Sequence, residues 1–245
     1  MNHDFVGKED DNCLGGKNMI DNENRISSLS TMEIVSPNRG EKYYEIVKRG
    51  MDIFGALIGI IFFLMAYMFL FVPYHIGENK GGMLFKQQRL GKNGKIFKIY
   101  KFRSMKKNAN EILKNDEDLY QKYIQNGYKL EVNEDPRITK LGCFIRKSSI
   151  DELPQFINVL KGEMSLVGPR PIVEEELREY GELSVQFLKM KPGITGVWQT
   201  SGRSNIGYPE RVNLELSYLK NKKISKDIII IFKTFLKVFL NEGAY

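Results

Sequence analysis

An uncharged run from Ile53 to Val72 constrains the fold more than any other feature of this 245-residue chain. As an α-helix, which rises about 1.5 Å per residue, the run would be roughly 30 Å long and could cross the apolar core of a bilayer. Few helices of soluble proteins are apolar on every face. The run therefore predicts a membrane helix, and the alternative is a buried core helix of a soluble protein.

Positive residues flank this run on both sides. Before it lie Arg39, Lys42, Lys48 and Arg49, and after it lie Lys80, Lys86, Arg89, Lys92, Lys95 and Lys98. Because Lys and Arg favour the cytoplasmic face of a membrane, both ends of the helix prefer the same side. We therefore predict a re-entrant, membrane-associated helical hairpin over 41–76. A straight span is the alternative, since Pro73 lies at the end of the run and its middle contains no helix breaker.

Composition narrows the partners and the compartment. The chain is basic, with 37 Lys and Arg against 30 Asp and Glu, which indicates anionic partners such as phospholipid headgroups, nucleotide phosphates or nucleic acid. Cys13 and Cys143 are too few and too far apart for a disulfide framework or a zinc site, so they indicate a reducing compartment. Residues 1–40 are polar and predict a disordered or loosely attached tail.

Residues 77–245 predict a small cytosolic domain, which gives the whole chain a mainly helical α+β fold. The turn 91–94 contains an Asn-Gly step between two apolar arms, 83–85 and 95–102, which predicts a β-hairpin. Residues 108–123 predict a polar surface helix.

The C-terminal segment 228–240 is apolar except for a few polar residues. Lys233 and Lys237 lie one helical turn apart, which predicts an amphipathic helix in the headgroup layer of a membrane. A C-terminal core helix is the alternative.

Two adjacent carboxylates, Asp151 and Glu152, follow the basic pair Arg146-Lys147. Ser149 and Glu152 have the spacing of a capping box, and apolar residues then recur at helical spacing up to Gly162. We therefore predict that both carboxylates lie at the start of a short helix, where the dipole keeps them ionised and favours a phosphate or its metal ion. The alternative is that Asp and Glu are only good first-turn residues.

Arginines lie beside turn or cap signals at Arg103, Arg146, Arg170 and Arg203. Arginine can hold phosphate oxygens through two parallel hydrogen bonds, and rigid Pro- and Gly-rich loops often carry binding residues. Each arginine alone is weak evidence. Together with the Asp-Glu pair they predict a site for a phosphate-bearing substrate.

A series of motifs in one order resembles the bacterial sugar transferase family over about residues 45–240. These are the monotopic polyprenyl-phosphate phosphoglycosyl transferases that begin capsule, exopolysaccharide and O-antigen assembly, and the resemblance covers their catalytic domain without the N-terminal membrane bundle of larger members. The motifs are Lys48-Arg49-x-x-Asp52, Phe85-Lys-Gln87, Gly91-Lys-Asn-Gly94, Lys101-Phe-Arg-Ser-Met105, Asp135-Pro-Arg137, Arg146 to Gln155, Gly168-Pro-Arg-Pro171, Lys191-Pro-Gly-Ile-Thr-Gly196 and Ser201-Gly-Arg203.

The resemblance implies transfer of a sugar-1-phosphate from a UDP-sugar to polyprenyl (undecaprenyl) phosphate, with release of UMP, at the cytoplasmic face of the bacterial cell membrane. It implies that Asp151 is the nucleophile and that Glu152 helps to hold Mg²⁺. The expected partners are the two substrates and membrane lipid, with a homo-oligomer also compatible. The substrate-binding candidates are Lys101, Arg103, Arg146, Arg170, Gln199 and Arg203.

The chain departs from the family pattern in three places. Leu64-Met65 stands where members usually have Ser-Pro, which removes the expected helix break. Glu215 replaces a common Asp, and Lys222-Lys223 replaces aromatic residues, so these two changes put the docking of the C-terminal segment in question.

The rival interpretation is a membrane-tethered protein that binds anionic polymer or nucleic acid without catalysis. The net charge suits it, but adjacent carboxylates would repel a phosphate polymer unless a metal intervenes. We therefore predict no nucleic-acid partner. A family member retained as an assembly partner is a further alternative.

Overall fold

The computed structural model describes residues 39–126, 130–202 and 206–240. The predicted tail over 1–40 lies outside the described residues, except for Arg39 and Gly40, which begin the first helix.

Helix α1 runs unbroken from Arg39 to Phe71, over 33 residues. The structure thus has one continuous helix where the sequence analysis predicts a helical hairpin. The physical reason is the absence of a breaker: Pro73 comes after the helix has ended, and Leu64-Met65 leaves every backbone N–H of the middle available to the helical ladder. The path of α1 relative to a bilayer stays a prediction.

One face of α1 packs against the rest of the molecule, and the opposite face is exposed. Only 22% of its most apolar 18-residue window is buried, whereas the core helix of a soluble protein is mostly buried. The helix is long and apolar enough to cross a membrane. The inward positions are three, four, seven or eight residues apart, which places them on one helical face, and they are Tyr44, Asp52, Ala56, Gly59, Phe63 and Leu70.

Two glycines let α1 approach the domain closely. A Cβ atom at Gly59 would lie 2.3 Å from Cγ of Phe156, and one at Gly55 would lie 2.6 Å from Cδ1 of Leu166. The Gly-x-x-x-Gly pattern therefore serves packing between α1 and its own domain.

Strands β1 (Leu84–Leu90) and β2 (Ile96–Phe102) form the predicted antiparallel hairpin, in which Leu90 pairs with Ile96. A 3-10 turn over Lys92–Gly94 joins them, and Asn93 takes the left-handed conformation with φ of 59°. Phe102 joins Phe63 and Leu70 of α1 in a buried apolar cluster. The hairpin is thus anchored on the membrane helix.

The predicted surface helix over 108–123 is two helices, α2 (Ala109–Asn115) and α3 (Glu117–Gln125). Asp116 interrupts it because its carboxylate accepts a hydrogen bond from the Leu119 N–H at 3.0 Å and starts a new helix. Helix α4 (Lys140–Lys147) follows, and then a 3-10 turn over Ile150–Glu152 and helix α5 (Gln155–Lys161). Helix α5 ends at Gly162, as predicted, with φ of 83°.

The C-terminal half surrounds a short parallel pair, β3 (Ser165–Val167) and β4 (Gly193–Thr195). A 3-10 segment over Glu175–Leu183 and helix α6 (Ser184–Leu188) lie between these strands in the chain. Helices α7 (Val197–Ser201), α8 (Glu210–Lys220) and α9 (Ile224–Phe239) follow.

Helix α9 is amphipathic, as predicted. Its Ile230 is buried, and Oγ1 of its Thr234 lies 2.6 Å from Oγ1 of Thr195 in β4. Its other face exposes Ile228, Ile229, Phe232, Phe235, Leu236 and Phe239.

The C-terminal segment docks through a buried polar network in place of the missing aromatic residues. Asp227 at the start of α9 has no exposed surface and accepts hydrogen bonds from Tyr218 at 2.7 Å, Tyr44 at 3.0 Å and Lys48 at 2.8 Å. Lys222 pairs with Glu41 at 3.2 Å. The network ties α1, α8 and α9 together. The C-terminal segment is therefore docked despite the departures from the family pattern at Glu215 and Lys222-Lys223.

Candidate active site

Asp151 and Glu152 lie in the 3-10 turn between α4 and α5, and this turn directly follows Ser149, which is left-handed with φ of 56°. The predicted capping box is wrong, because the Ser149 side chain makes no cap hydrogen bond and its backbone lacks the extended conformation of a typical N-cap. Helix α5 begins only at Gln155, so the two carboxylates precede it. Their chemistry therefore has to come from side-chain neighbours rather than from a helix dipole.

Lys101 joins the two carboxylates. Its Nζ lies 2.8 Å from Oε1 of Glu152 and 4.0 Å from Oδ2 of Asp151. Lys101 is the penultimate residue of β2, so the hairpin carries the cation while the 3-10 turn carries the acids. The Asp151 side chain is 13% exposed and that of Glu152 is 34% exposed, so the second acid is the more accessible.

Burial raises the pKa of Asp151 to about 6. Lys101 and Arg146 oppose this rise, whereas the neighbouring Glu152 adds to it. At neutral pH Asp151 is therefore mainly a carboxylate, and it is more basic than an ordinary aspartate.

Arg146 lies in the last turn of α4, and its Nε donates to Oγ of Ser104 at 2.8 Å. Among the described residues its terminal Nη atoms have no hydrogen-bond acceptor. Arg146 also lowers the pKa of Asp151, so it lies close to the Asp151–Glu152 pair, which we call the dyad. Its Nη atoms can therefore donate hydrogen bonds to a ligand there.

Arg103 is placed differently. Its guanidinium donates to the carbonyls of Gly82 at 2.8 Å, Met105 at 2.9 Å and Asn79, and it stacks 5.4 Å from the Tyr74 ring. The Tyr74 hydroxyl donates in turn to the Arg103 carbonyl. Arg103 thus holds the loop after α1 beside the dyad, and a direct role in substrate binding stays a prediction.

A second charged cluster, which we call the arginine cluster, consists of Arg89, Arg170, Arg211, Glu176 and Glu215. Arg211 bonds to Glu176 at 3.4 Å and to Glu215 at 3.3 Å. Arg89 bonds to Glu176 at 3.4 Å, and the Arg170 N–H donates to Glu215 at 3.3 Å. Arg211 and Arg89 thus share the two acids through their side chains, whereas Arg170 contacts Glu215 through its backbone N–H and lowers the pKa of Glu176 by its charge. The Arg211 and Glu215 side chains are only 3% and 1% exposed.

Trp198 of α7 lies between two of these arginines, 5.6 Å from Arg170 and 4.5 Å from Arg211. The next residue, Gln199, has a buried Oε1 without a hydrogen-bond partner among the described residues. Nη2 of Arg211 and Nε of Arg89 are likewise buried without an acceptor there. Because an unsatisfied buried donor is costly, these groups are suited to a ligand. Arg203 lies outside the described residues.

Sequence reasoning missed Arg89, Arg211 and Glu176. Arg211 and Glu215 are four residues apart on α8, which is a detectable signal, but charged pairs at this spacing are common on solvated helices. The other contacts join segments that are remote in the chain, and single-sequence patterns do not reveal them.

The dyad has a donor set that fits Mg²⁺. No group of three acidic, His or Cys side chains converges among the described residues, so a site held by protein ligands alone is not found there. Mg²⁺ is commonly bound through one or two carboxylates and completed by substrate phosphates and water. Glu152 can supply the protein part of such a set.

The comparisons place the chain in a family. Residues 43–241 match the sequence profile of the bacterial sugar transferases, so the chain belongs to that family. It is 44% identical over 227 residues to the galactosyl transferase CpsE of Streptococcus agalactiae, covering 91% of this chain and 49% of the relative.

Two further relatives differ in how much of their length the chain covers. The chain is 40% identical over 176 residues to the UDP-glucose:undecaprenyl-phosphate glucose-1-phosphate transferase of Escherichia coli, covering 69% of this chain and 35% of the relative. It is 38% identical over 203 residues to the exopolysaccharide production protein ExoY of Rhizobium meliloti, covering 81% of this chain and 88% of the relative. The chain therefore spans about half or less of the first two relatives and most of the third.

Proposed function

We propose that this chain transfers a sugar-1-phosphate from a UDP-sugar to undecaprenyl phosphate and releases UMP, as the first step of capsule, exopolysaccharide or O-antigen assembly. The observation that carries the proposal is the buried Asp151, adjacent to Glu152 and paired with Lys101, in a chain that matches the sugar transferase family over 43–241. The names of the relatives supply the substrate classes.

The transfer proceeds in two successive displacements at the sugar-linked phosphorus. In the first, an Oδ atom of Asp151 attacks the sugar-linked phosphorus, an Asp–O–P bond forms, and the bond to the departing UMP oxygen breaks. In the second, a phosphate oxygen of undecaprenyl phosphate attacks the same phosphorus and the Asp–O–P bond breaks. This restores the carboxylate and leaves a lipid-linked diphosphate sugar. A raised pKa suits a nucleophile, because the more basic carboxylate forms the stronger bond to phosphorus.

The neighbours of Asp151 would offset the negative charge of the substrate phosphates. Glu152, with help from substrate phosphate oxygens, would hold Mg²⁺, which when bound offsets the negative charge of the diphosphate. Lys101 orients Glu152 through its 2.8 Å contact and adds a positive charge beside both acids. Arg146 offers its Nη donors to the phosphate that is being transferred.

The arginine cluster is suited to the nucleotide. In the hairpin register, Arg89 pairs with Phe97, and Lys101 lies four residues further along β2. At about 3.3 Å per residue, the cluster starts roughly 13 Å from Lys101, a separation on the scale of an extended nucleotide diphosphate sugar. Arg170 and Gln199 are our candidates for contacts to UDP, with Arg203 retained from the sequence prediction.

Contacts at both ends of α1 support a cytoplasmic, monotopic arrangement. Lys48 near the start of α1 bonds to Asp227, and Arg49 donates to the carbonyls of Val159 at 2.7 Å and Leu160 at 2.8 Å. At the other end, Tyr74 bonds to Arg103. Because both ends of α1 are fixed to one domain, a straight span would carry part of that domain across the membrane. We therefore propose that α1, although unbroken, keeps both of its ends at the cytoplasmic face and presents its exposed face to lipid.

Product analysis tests the function. The detergent-solubilised protein is incubated with Mg²⁺, undecaprenyl phosphate and a panel of UDP-sugars, and UMP and the lipid product are measured. Release of UMP that depends on undecaprenyl phosphate supports the proposal. Salt-sensitive retention of DNA without turnover of any UDP-sugar would favour the non-catalytic alternative instead.

Cysteine labelling tests the topology. Single cysteines at Ser30 and at Glu78, in a background without Cys13 and Cys143, should both resist a membrane-impermeant thiol reagent in intact cells and react after lysis. Labelling of position 30 alone in intact cells would show that α1 spans, and it would leave the proposed chemistry untouched.

A further inference from the structure

A basic cavity lies beside the N-terminal part of α1, away from the Asp151–Glu152 dyad. Its volume is about 50 Å³, and we call it the basic cavity. Two of its lining residues, Glu45 and Asp52, are acidic. Six are cationic, namely Lys48, Arg49, Lys92, Lys189, Lys191 and Lys222.

Part of this positive charge is compensated within the protein. Lys48 pairs with Asp227, Arg49 donates to two carbonyls, and Lys92 lies 3.8 Å from Glu45. Lys222 lies near Glu41 and Glu45. Oδ1 of Asp52 accepts hydrogen bonds from Ser165 at 2.9 Å and from the Leu166 N–H at 2.8 Å, so one oxygen of this carboxylate is engaged as well.

Lys189 and Lys191 are the exception. Neither has an ion pair or a side-chain hydrogen bond among the described residues, although Lys191 is half-buried. Burial lowers the pKa of Lys191, and the neighbouring Arg49 and Lys92 lower it further, while Asp52 opposes the change. A half-buried ammonium crowded by other cations is stabilised by a bound anion.

The position of the cavity indicates which anion. Lys48, Arg49 and Asp52 are the last charged residues before the apolar run of α1, and the exposed apolar residues of α9 begin at Ile228, next to the Asp227 that pairs with Lys48. The cavity thus lies where the charged surface meets two lipid-facing helices. In a membrane this is the depth of the phosphate groups.

The cavity is separate from the dyad. The dyad lies near Tyr74, beyond the C-terminal end of α1, whereas the cavity touches α1 only between Tyr44 and Asp52. The helix between Asp52 and Phe71 has a length of roughly 28 Å at about 1.5 Å per residue.

We propose that the basic cavity binds the phosphate of an anionic phospholipid headgroup, with Lys191 and Lys189 as the principal cations. The bound lipid would fix the depth of the N-terminal end of α1 in the membrane. This inference does not depend on the transfer chemistry, because none of these lysines belongs to the dyad or to the arginine cluster.

Binding of short-chain lipids to the full chain in neutral detergent tests this site. The probes are phosphatidylglycerol, phosphatidylcholine of the same chain length and inorganic phosphate. We expect phosphatidylglycerol to bind at least about tenfold more tightly than phosphatidylcholine, and the double variant Lys189→Gln/Lys191→Gln to lose about tenfold or more of that affinity. Lys191→Arg should retain binding.

A matched control removes the same charge elsewhere. Lys114 and Lys140 are exposed and lie outside the cavity lining, so Lys114→Gln/Lys140→Gln should bind like the wild type. Thermal unfolding verifies that both double variants are folded. Equal losses in the two double variants, no preference for phosphatidylglycerol, or binding of inorganic phosphate alone would each overturn the assignment to a lipid headgroup.

Discussion

The dyad and the arginine cluster both bury carboxylates, yet the pKa of Asp151 is raised whereas that of Glu176 in the cluster is lowered. At Asp151 burial raises the pKa, and Lys101 and Arg146 only partly offset it because Glu152 adds negative charge. At Glu176 burial acts in the same sense, but Arg170, Arg211 and Arg89 outweigh it and the pKa is lowered. Glu215, the more deeply buried acid of the cluster, has a raised pKa like Asp151, so the balance between burial and the surrounding cations sets the direction at each acid.

Asp151→Asn should produce the largest effect. The amide preserves the shape but cannot form the covalent bond to phosphorus, so we expect UMP release to fall by at least on the order of 10³-fold and the phosphosugar adduct to disappear. Adduct formation can be measured by intact-protein mass spectrometry. Asp118→Asn, at an exposed position on α3, is the control; wild-type turnover by the Asp151 variant would remove this residue from its role.

Arg211→Met should chiefly affect stability. It removes the cation that pairs with the buried Glu215 and one of the cations around Glu176, which we expect to cost about 3 kcal/mol of unfolding free energy. Lys122→Met breaks the exposed pair with Glu134 and should cost less than about 1 kcal/mol. Thermal or denaturant unfolding in detergent measures both, and equal losses would show that burial does not distinguish the two pairs.

Glu152→Gln should lower turnover by about 10²-fold, because it removes charge that would hold the metal while leaving the nucleophile in place. Added Mg²⁺ should restore part of the loss. A chelator titration of the wild type is the companion measurement, and turnover that is indifferent to chelation would rule out Glu152 as a metal ligand.

The pH dependence of turnover gives the smallest and most specific effect. Because the carboxylate form of Asp151 is required and its pKa is about 6, UMP release should fall about tenfold per pH unit below that value and level off above it. Lys101 is the largest influence opposing the rise, so Lys101→Met should move the midpoint upward by about one pH unit. A midpoint that stays in place or moves downward would contradict the assigned role of Lys101.

The sequence predicts the elements of the site better than their geometry. The apolar run, the Asn-Gly hairpin and the Asp151–Glu152 pair follow from local periodicity, turn chemistry and motif, and the structure contains all three. The capping box fails because Ser149 takes a left-handed conformation, which its residue type did not indicate. The helical hairpin predicted over 41–76 is a continuous helix in the structure up to Phe71. Flanking charges indicate which side of a membrane is favoured, but they do not specify where a backbone bends.

The arginine cluster could not be predicted from the sequence, because its members come from segments that lie far apart in the chain. Arg170 stands out because prolines flank it, whereas Arg89 lies in an ordinary strand and Glu176 in an ordinary polar segment. Their pairing arises from how β1, the 3-10 segment and α8 pack in three dimensions. Only the fold reveals that Arg170 belongs to a group of three arginines.

The close contact of Gly55 and Gly59 with Leu166 and Phe156 has a consequence for biogenesis. Because Phe63 and Leu70 of α1 share a core with Phe102 and Ile145, the domain cannot complete its interior until the helix has been delivered to it. We therefore expect the association of α1 with the membrane and the folding of the domain to be coupled. A polypeptide trimmed to 77–240 would expose apolar surface that the helix normally covers, and it should aggregate rather than yield a water-soluble enzyme.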